Sequence, residues 1–358
     1  MTLDQIENIL AQISDPHNGV SILKSGILSD IVVSGERVSF SLNTGNLNAD
    51  QKNNLNQACQ FAILASFPNA DIHIHFLQQS KEPHRALPQV KNIIAVASGK
   101  GGVGKSTVSV NLALGLSQLG AKVGLIDADL YGPSMPTMLG LQGIKPKMSD
   151  IYGTPKIVPL EAYGMPVISI GFLLEPEQAV VLRGPRLSAI VKQFFNDILW
   201  PELDYLIVDL PPGTGDIQLS LVQTVPVTGV VLVTTPQEVA LADAVKAMNM
   251  FLLPQIDVPI IGVVENMSWF TPEELPDNKY YIFGKGGGEK LTKLSSSVLL
   301  GKVPLVQSVR EGGDSGKPVV CQEGNPLKSV FLNIAHKMAE QVAWRHETLA
   351  PTKKVELN

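Results

Sequence analysis

Apolar positions are spaced differently on the two sides of residue 90. Before it, Leu3, Ile6, Ile9, Leu10 and Ile13 recur at helical spacing until Asp15-Pro16 breaks the run. Apolar runs at 31–33 and 38–42 flank Ser34-Gly35-Glu36, a hairpin pattern. Residues 50–65 predict a second helix and 71–76 a closing strand. Together, residues 1–80 predict a small α+β domain, and Pro83 and Pro88 mark 81–91 as a linker. Beyond it, runs rich in Val, Ile and Leu without polar alternation occur at 93–97, 123–127, 205–209, 230–234, 260–264 and 298–303. Such runs suit strands buried on both faces of a parallel sheet. Helix-like stretches alternate with them, so residues 92–346 predict an α/β domain with a doubly wound, mainly parallel sheet. Residues 142–177 lack clear periodicity, which suggests an excursion or hairpin, and the polar tail 347–358 is expected to fray.

The first of these strands runs into Gly99-Lys100-Gly101-Gly102-Val103-Gly104-Lys105-Ser106-Thr107. The octet from Gly99 to Ser106 fits G-x-x-x-x-G-K-[ST], a phosphate-binding loop. Its glycines let successive backbone N–H groups converge on phosphate oxygens, and the helix behind presents its positive end to the same anion. Lys105 is then the group that reaches the β- and γ-phosphates, and Ser106 the hydroxyl that ligates Mg²⁺. The alternative is a glycine-rich turn that binds nothing, but an apolar strand pattern before the octet and a helical one after it argue against that. The string K-G-G-x-G-K-[ST]-T resembles the deviant Walker A motif of the MinD/ParA/nitrogenase-iron-protein class of ATPases. That resemblance implies a homodimer in which Lys100 reaches the partner's nucleotide; the alternative is a surface lysine.

Carboxylates end two further strands. Asp127 and Asp129 lie two apart, on one side of an extended chain, where they suit a Mg²⁺-bound water and an attacking water; an N-cap aspartate and a solvated one is the alternative. Asp209 ends the apolar run before Leu210-Pro211-Pro212-Gly213-Thr214-Gly215-Asp216, the pattern of a Walker B element in the magnesium's outer sphere. Gly213 and Gly215 would let that loop move with the γ-phosphate. Asn266, at the end of another strand, has an amide able to pair with adenine N6 and N1, which favours ATP; a turn-forming Asn is the alternative.

Composition narrows the partners. Of 358 residues, 17% are charged, and the net charge is −5 with no basic run for nucleic acid. No apolar stretch is long enough to span a membrane, and the acidic start Met1-Thr2-Leu3-Asp4 is unlike a secretory signal, so a cytoplasmic location is expected. The two cysteines, Cys59 and Cys321, are far apart, which excludes a disulfide framework. His73 and His75 share a strand face, with His84 nearby; a solvated face is the simpler reading than a metal site. Gly284-Lys285-Gly286-Gly287-Gly288 reads as a mobile turn rather than a second phosphate loop.

Four strings in combination resemble the Mrp/ApbC family of iron–sulfur cluster carrier ATPases: D-A-D-x-Y-G-P-S from Asp127, D-L-P-P-G-T-G-D from Asp209, V-E-N-M-S from Val264 and R-E-G-G-D-S-G-K-P from Arg310. Through Asp15-Pro16 and the hairpin entry Gly26-Ile27-Leu28-Ser29-Asp30-Ile31, residues 1–78 are similar to the small iron–sulfur assembly domain often fused in front. The resemblance implies ATP hydrolysis with Mg²⁺, nucleotide contacts from Gly99 to Thr107, a switch role for Asp129, a 4Fe–4S cluster, a homodimer, and scaffold or apo-client proteins as partners. It also implies a C-x-x-C pair soon after E-N-M-S, and here residues 267–284 contain no cysteine. An ATP-driven dimeric switch or scaffold without a bound cluster is therefore the competing reading. The patch of Trp269, Phe270, Tyr280, Tyr281 and Phe283 reads equally as core or as a contact surface.

Overall fold

The computed structural model describes residues 1–45, 47–77, 87–129, 132–151, 153–173 and 184–355. Its elements begin with α1 (Leu3–Leu10), β1 (Leu28–Ser34), β2 (Arg37–Asn43), α2 (Ala49–Ser66), β3 (Asp71–Leu77), β4 (Val90–Ala97) and α3 (Lys105–Gln118). Then come β5 (Val123–Asp127), α4 (Met135–Met138), β6 (Lys147–Ile151), β7 (Thr154–Val158), β8 (Leu160–Ala162), β9 (Met165–Ser169) and α5 (Gly184–Asn196). They continue through β10 (Leu203–Asp209), α6 (Asp216–Thr224), β11 (Gly229–Thr234), α7 (Glu238–Phe251) and β12 (Ile260–Phe270). The last are α8 (Gly287–Ser295), β13 (Val298–Leu305), α9 (Gln307–Asp314) and α10 (Leu327–Thr348).

The chain divides into two compact units. The first comprises Met1–Gln89 with two later segments, Pro146–Pro159 and Phe195–Glu202. Its sheet runs in the order β1-β2-β3, with β1 antiparallel and β3 parallel to β2. Ile6 and Leu10 of α1, Phe40 and Leu42 of β2, and Leu55, Cys59 and Ile63 of α2 form its core. Thr2 with Gln5, and Asn48 with Gln51, form capping boxes that start the two helices. The first helix stops at Leu10 rather than Ile13, because the chain turns back there: the Ile22 N–H bonds the Ile13 carbonyl at 2.8 Å, burying Ile13. Antiparallel β6 and β7 also belong to this unit, so the excursion after residue 142 does contain a hairpin. Lys156 on β7 is buried and donates to the carbonyls of His17 and Asn196. The linker at 81–86, with His84, lies outside the described residues.

The second unit carries an eight-stranded sheet in the order β13-β12-β11-β4-β10-β5-β9-β8. All its pairings are parallel except β8 with β9. Every residue of β5 and β11 is buried, as apolar runs covered on both faces require. Strands β8 and β9 are too short, and too interrupted by Pro166, to stand out as apolar runs. From β4 the chain passes through α3 to β5, whereas from β10 it passes through α6 to β11, on the other side of β4. The connections diverge between the carboxyl ends of β4 and β10, where such sheets place their ligands.

Both expected ends of the second domain also shift. β4 begins at Val90, inside the expected linker. The tail does not simply fray from 347: α10 continues to Thr348, Arg345 donates to the Ala350 carbonyl at 2.7 Å, and Val355 is buried with its N–H on the Val222 carbonyl at 3.0 Å. Arg345, which also donates to the Thr352 hydroxyl at 2.8 Å, holds it down together with one apolar side chain and one backbone pair. Among the described residues, no helix is long and apolar enough to cross a membrane.

Candidate nucleotide site at the ends of strands β4 and β10

Residues 98–104 link the end of β4 to the start of α3. The loop's path depends on two glycines packed against neighbours. A Cβ on Gly99 would lie 2.0 Å from the backbone carbon of Asp243 on α7. A Cβ on Gly104 would lie 2.2 Å from Asn266 Nδ2, and its φ of 81° is left-handed besides. Gly101 and Gly102 lie exposed between them, as does Lys100, while Val103 is buried.

Lys105, Ser106 and Ser109 all approach the carboxylate of Asp209 at the end of β10. Lys105 Nζ lies 2.8 Å from Asp209 Oδ2, and the Ser106 hydroxyl donates to the same oxygen at 2.6 Å. Ser109 donates to Asp209 Oδ1, also at 2.6 Å. Lys105 Nζ also pairs with Asp129 Oδ2 at 3.5 Å. Lys105, Ser109 and Asp209 are buried, while Ser106 and Asp129 are half-buried at the mouth of the cluster.

Asp127 and Asp129 do not share one side of an extended chain. β5 ends at Asp127, and the Asp129 N–H turns back onto Asp127 Oδ1 at 3.1 Å. The other carboxylate oxygen of Asp127 accepts from the Ser169 hydroxyl at 2.9 Å and the Met135 N–H at 3.3 Å. Asp127 thus supports the loop that carries Asp129 toward Lys105. Burial, and then the charge of Asp209, push its carboxyl up to about 7. Tyr131 of the same motif lies outside the described residues.

The donor set fits a hard divalent cation held jointly with phosphate. A hydroxyl and carboxylates are present, and a buried carboxyl raised toward neutrality is one that an added cation would stabilise in its charged form. Among the described residues no three His, Cys, Asp or Glu groups form a cage for a metal ion. Mg²⁺ characteristically takes few protein ligands and completes its sphere with phosphate and water.

Two cavities adjoin the loop. One of about 480 Å³ is lined by Asp129, Pro211, Pro212 and residues 215–218. Buried Gln218 holds its wall, donating to the carbonyls of Pro211 at 2.8 Å and Gly213 at 3.0 Å. The second, about 570 Å³, is lined by Gly104, Thr107, Asn266, Met267, Arg310 and neighbouring residues. Asn266 donates to the Val103 carbonyl at 2.8 Å, tying β12 to the phosphate-binding motif. Met267 follows it with a φ of 55°, an uncommon conformation for a side-chain-bearing residue, where the β12–β13 register shifts.

Residues 89–339 match the family of NUBPL iron-transfer P-loop NTPases, within the ParA group. The chain belongs to this family. Residues 3–74 separately match the iron–sulfur cluster assembly protein family. An iron–sulfur cluster carrier protein of Synechocystis is 43% identical over 349 residues, 96% of this chain and 98% of that one. The Escherichia coli iron–sulfur cluster carrier protein is 48% identical over 261 residues, covering 73% and 69% of the two chains. Among solved structures, a nucleotide-binding protein of Archaeoglobus fulgidus in complex with ADP superposes with a TM-score of 0.57 at 35% identity, over 67% of this chain and 91% of the other. The septum site-determining protein MinD of Pyrococcus horikoshii shares the fold, with a TM-score of 0.52 at 20% identity over 71% and 98%.

The family's cargo chemistry turns on thiolates. Cys59 is buried in the core of the first unit, where burial pushes its thiol up to about 12. Cys321, in the second unit, is half-buried, and burial raises its thiol too. After β12 the chain returns as a hairpin in which Phe270 and Tyr280 exchange two backbone hydrogen bonds of 2.8 Å. Lys279 lies 4.5 Å from the Trp269 ring centre and Lys285 3.8 Å from that of Tyr281. Phe270, Tyr280 and Tyr281 are exposed and Trp269 and Phe283 half-buried, so none of the patch is core. Of the expected glycine-rich turn at 284–288, Gly287 and Gly288 instead begin α8, where the Gly288 N–H donates to the side chain of buried Glu265 at 2.7 Å. His73 and His75 lie on exposed β3, with His73 3.0 Å from Asp71.

Sequence reasoning missed Ser109, Ser169, Gln218 and Glu265. Ser109 carried a signal, since it lies one helical turn beyond Lys105 and so on the same face. The other three become visible only when distant elements meet.

Proposed function

We propose that this chain is a Mg²⁺-dependent ATPase switch that serves iron–sulfur cluster transfer from the cytoplasm's assembly machinery to apo-proteins. The observation that carries the reading is the convergence of Lys105 and Ser106 on Asp209 at the β4/β10 crevice. Membership of an iron-transfer NTPase family and the 43% identical carrier protein support the cargo.

In this reading the backbone of residues 99–107 cradles the phosphates, and Lys105 leaves Asp209 to pair with the β- and γ-phosphate oxygens. Ser106 and Asp209, with Asp127 behind them, are the residues that would hold Mg²⁺. When bound, the ion neutralises phosphate charge. Water attacks the γ-phosphorus, the bond to the β–γ bridging oxygen breaks, and ADP and phosphate result. Asp129, beside Lys105, orients that water. Catalysis is then positioning and charge stabilisation. Asn266 faces the base cavity and selects adenine, and exposed Lys100 acts across a homodimer.

The assembly-type domain is the first unit, built on residues 1–89, and the ATPase domain is the second, which begins with β4 at Val90. The 4Fe–4S cluster is the cargo. With one thiol in a core and the other half-buried, its ligands come from a partner protein for at least part of the transfer cycle. The test has two parts. Phosphate release from Mg-ATP should be lost in Lys105→Ala, and anaerobic addition of iron and sulfide should load the protein only weakly unless an apo-acceptor is present. Unchanged phosphate release in Lys105→Ala overturns the ATPase assignment. About four irons per dimer held without an acceptor, and lost in Cys321→Ser, overturns the assignment of the ligands.

A further inference from the structure

A serine inside a buried stretch of helix needs a reason, because an unpaired hydroxyl is costly there. Ser109 is fully buried, flanked on α3 by Val108 and Val110. The bland explanation is a bond back to the carbonyl one turn earlier, and Lys105 O does lie 3.1 Å away. Asp209 Oδ1 is closer, at 2.6 Å, and it is ionisable. A hydroxyl has one hydrogen to give, and the short bond to a charged acceptor is the stronger.

The three donors to Asp209 are not equivalent. Lys105 and Ser106 share Oδ2, and both are the groups that turn to phosphate and metal when nucleotide arrives. Ser109 alone of the three holds Oδ1, and it sits a helical turn further from the loop. We infer that Ser109 is a positioning residue: it clamps the far oxygen of Asp209, so that the near oxygen keeps facing Ser106 and the metal position after Lys105 and Ser106 have let go. This rests on the proposed Mg²⁺-nucleotide reading of the site. It adds that the orientation of the Walker B carboxylate is set from within α3, by a residue outside the phosphate-binding octet.

The test is the affinity for ADP with and without Mg²⁺, measured by calorimetry on the full chain. In Ser109→Ala, ADP affinity in EDTA should stay within about twofold of wild type. The gain on adding Mg²⁺ should shrink by about tenfold, the worth of one hydrogen bond to a charged group. Ser109→Thr, which keeps the hydroxyl, should recover most of that gain. Thermal unfolding without nucleotide checks that Ser109→Ala is folded. Equal losses with and without Mg²⁺, or no loss in either, would overturn the positioning role. A wild-type protein whose ADP affinity ignores Mg²⁺ overturns the metal reading itself, and this inference falls with it.

Discussion

Lys105 is expected to matter before any nucleotide binds. Its ammonium lies 2.8 Å from buried Asp209 and 3.5 Å from half-buried Asp129, and its charge also lowers the pKa of Asp127. Removing one partner of a buried ion pair typically costs about 3–5 kcal/mol, since the other charge is left uncompensated. Asp209 keeps its bonds from Ser106 and Ser109, which argues for the lower end, about 3 kcal/mol. At roughly 2–4 °C per kcal/mol for a domain of this size, Lys105→Ala should lower the apo-protein's melting temperature by about 6–12 °C. The pH dependence has a definite sign. The Asp127 carboxyl already sits at about 7 against an ordinary value of 3.8, raised by burial and then by Asp209, and losing Lys105 raises it further. A carboxyl raised in the folded state binds more protons folded than unfolded, so stability increases as pH falls toward the unfolded value. The deficit of Lys105→Ala should therefore be largest near pH 8 and shrink by pH 5.5. Scanning calorimetry of both apo-proteins across that range is the measurement. A mutant within 2 °C of wild type at pH 8 (well under the roughly 6 °C expected), or a deficit independent of pH, would refute the idea that Lys105 compensates these carboxylates.

Two further outcomes are expected. Lys100→Ala should leave ADP binding by the monomer intact while impairing hydrolysis and nucleotide-dependent dimerisation, seen by light scattering; a loss of ADP binding equal to that of Lys105→Ala would rule out action in trans. Asn266→Ala should weaken nucleotide binding, because it frees the Val103 carbonyl, and should also narrow the preference for ATP over GTP in a displacement assay. Wild-type protein binding both nucleotides equally would reject adenine selection by Asn266.

Much of the second unit was legible because its signals are local. The octet from Gly99 to Ser106 carries its chemistry in contiguous residues, and the backbone they form is itself the cradle. β5 and β11 announced themselves by apolar runs, since strands covered on both faces have no polar side to alternate with. Asp209 was found as the polar end of such a run. The first unit's helices and hairpin followed from spacing and from Ser34-Gly35-Glu36.

Tertiary structure decided the rest. Asp127 and Asp129 look equivalent when read as an extended pair, but a turn and the hydroxyl of Ser169, on a strand 42 residues away, make one a buried support and leave the other beside Lys105. Asn266 is tied to a loop 163 residues earlier, and the hairpin at 147–158 belongs with the first unit rather than with the sheet that surrounds it in sequence. Gly288, in the first turn of α8, donates to Glu265 of β12, a pairing no local pattern shows. Helix and strand periods report only which face of an element is apolar. Which polar groups share a buried site depends on strand order, and that order is set by the summed packing of the whole sheet.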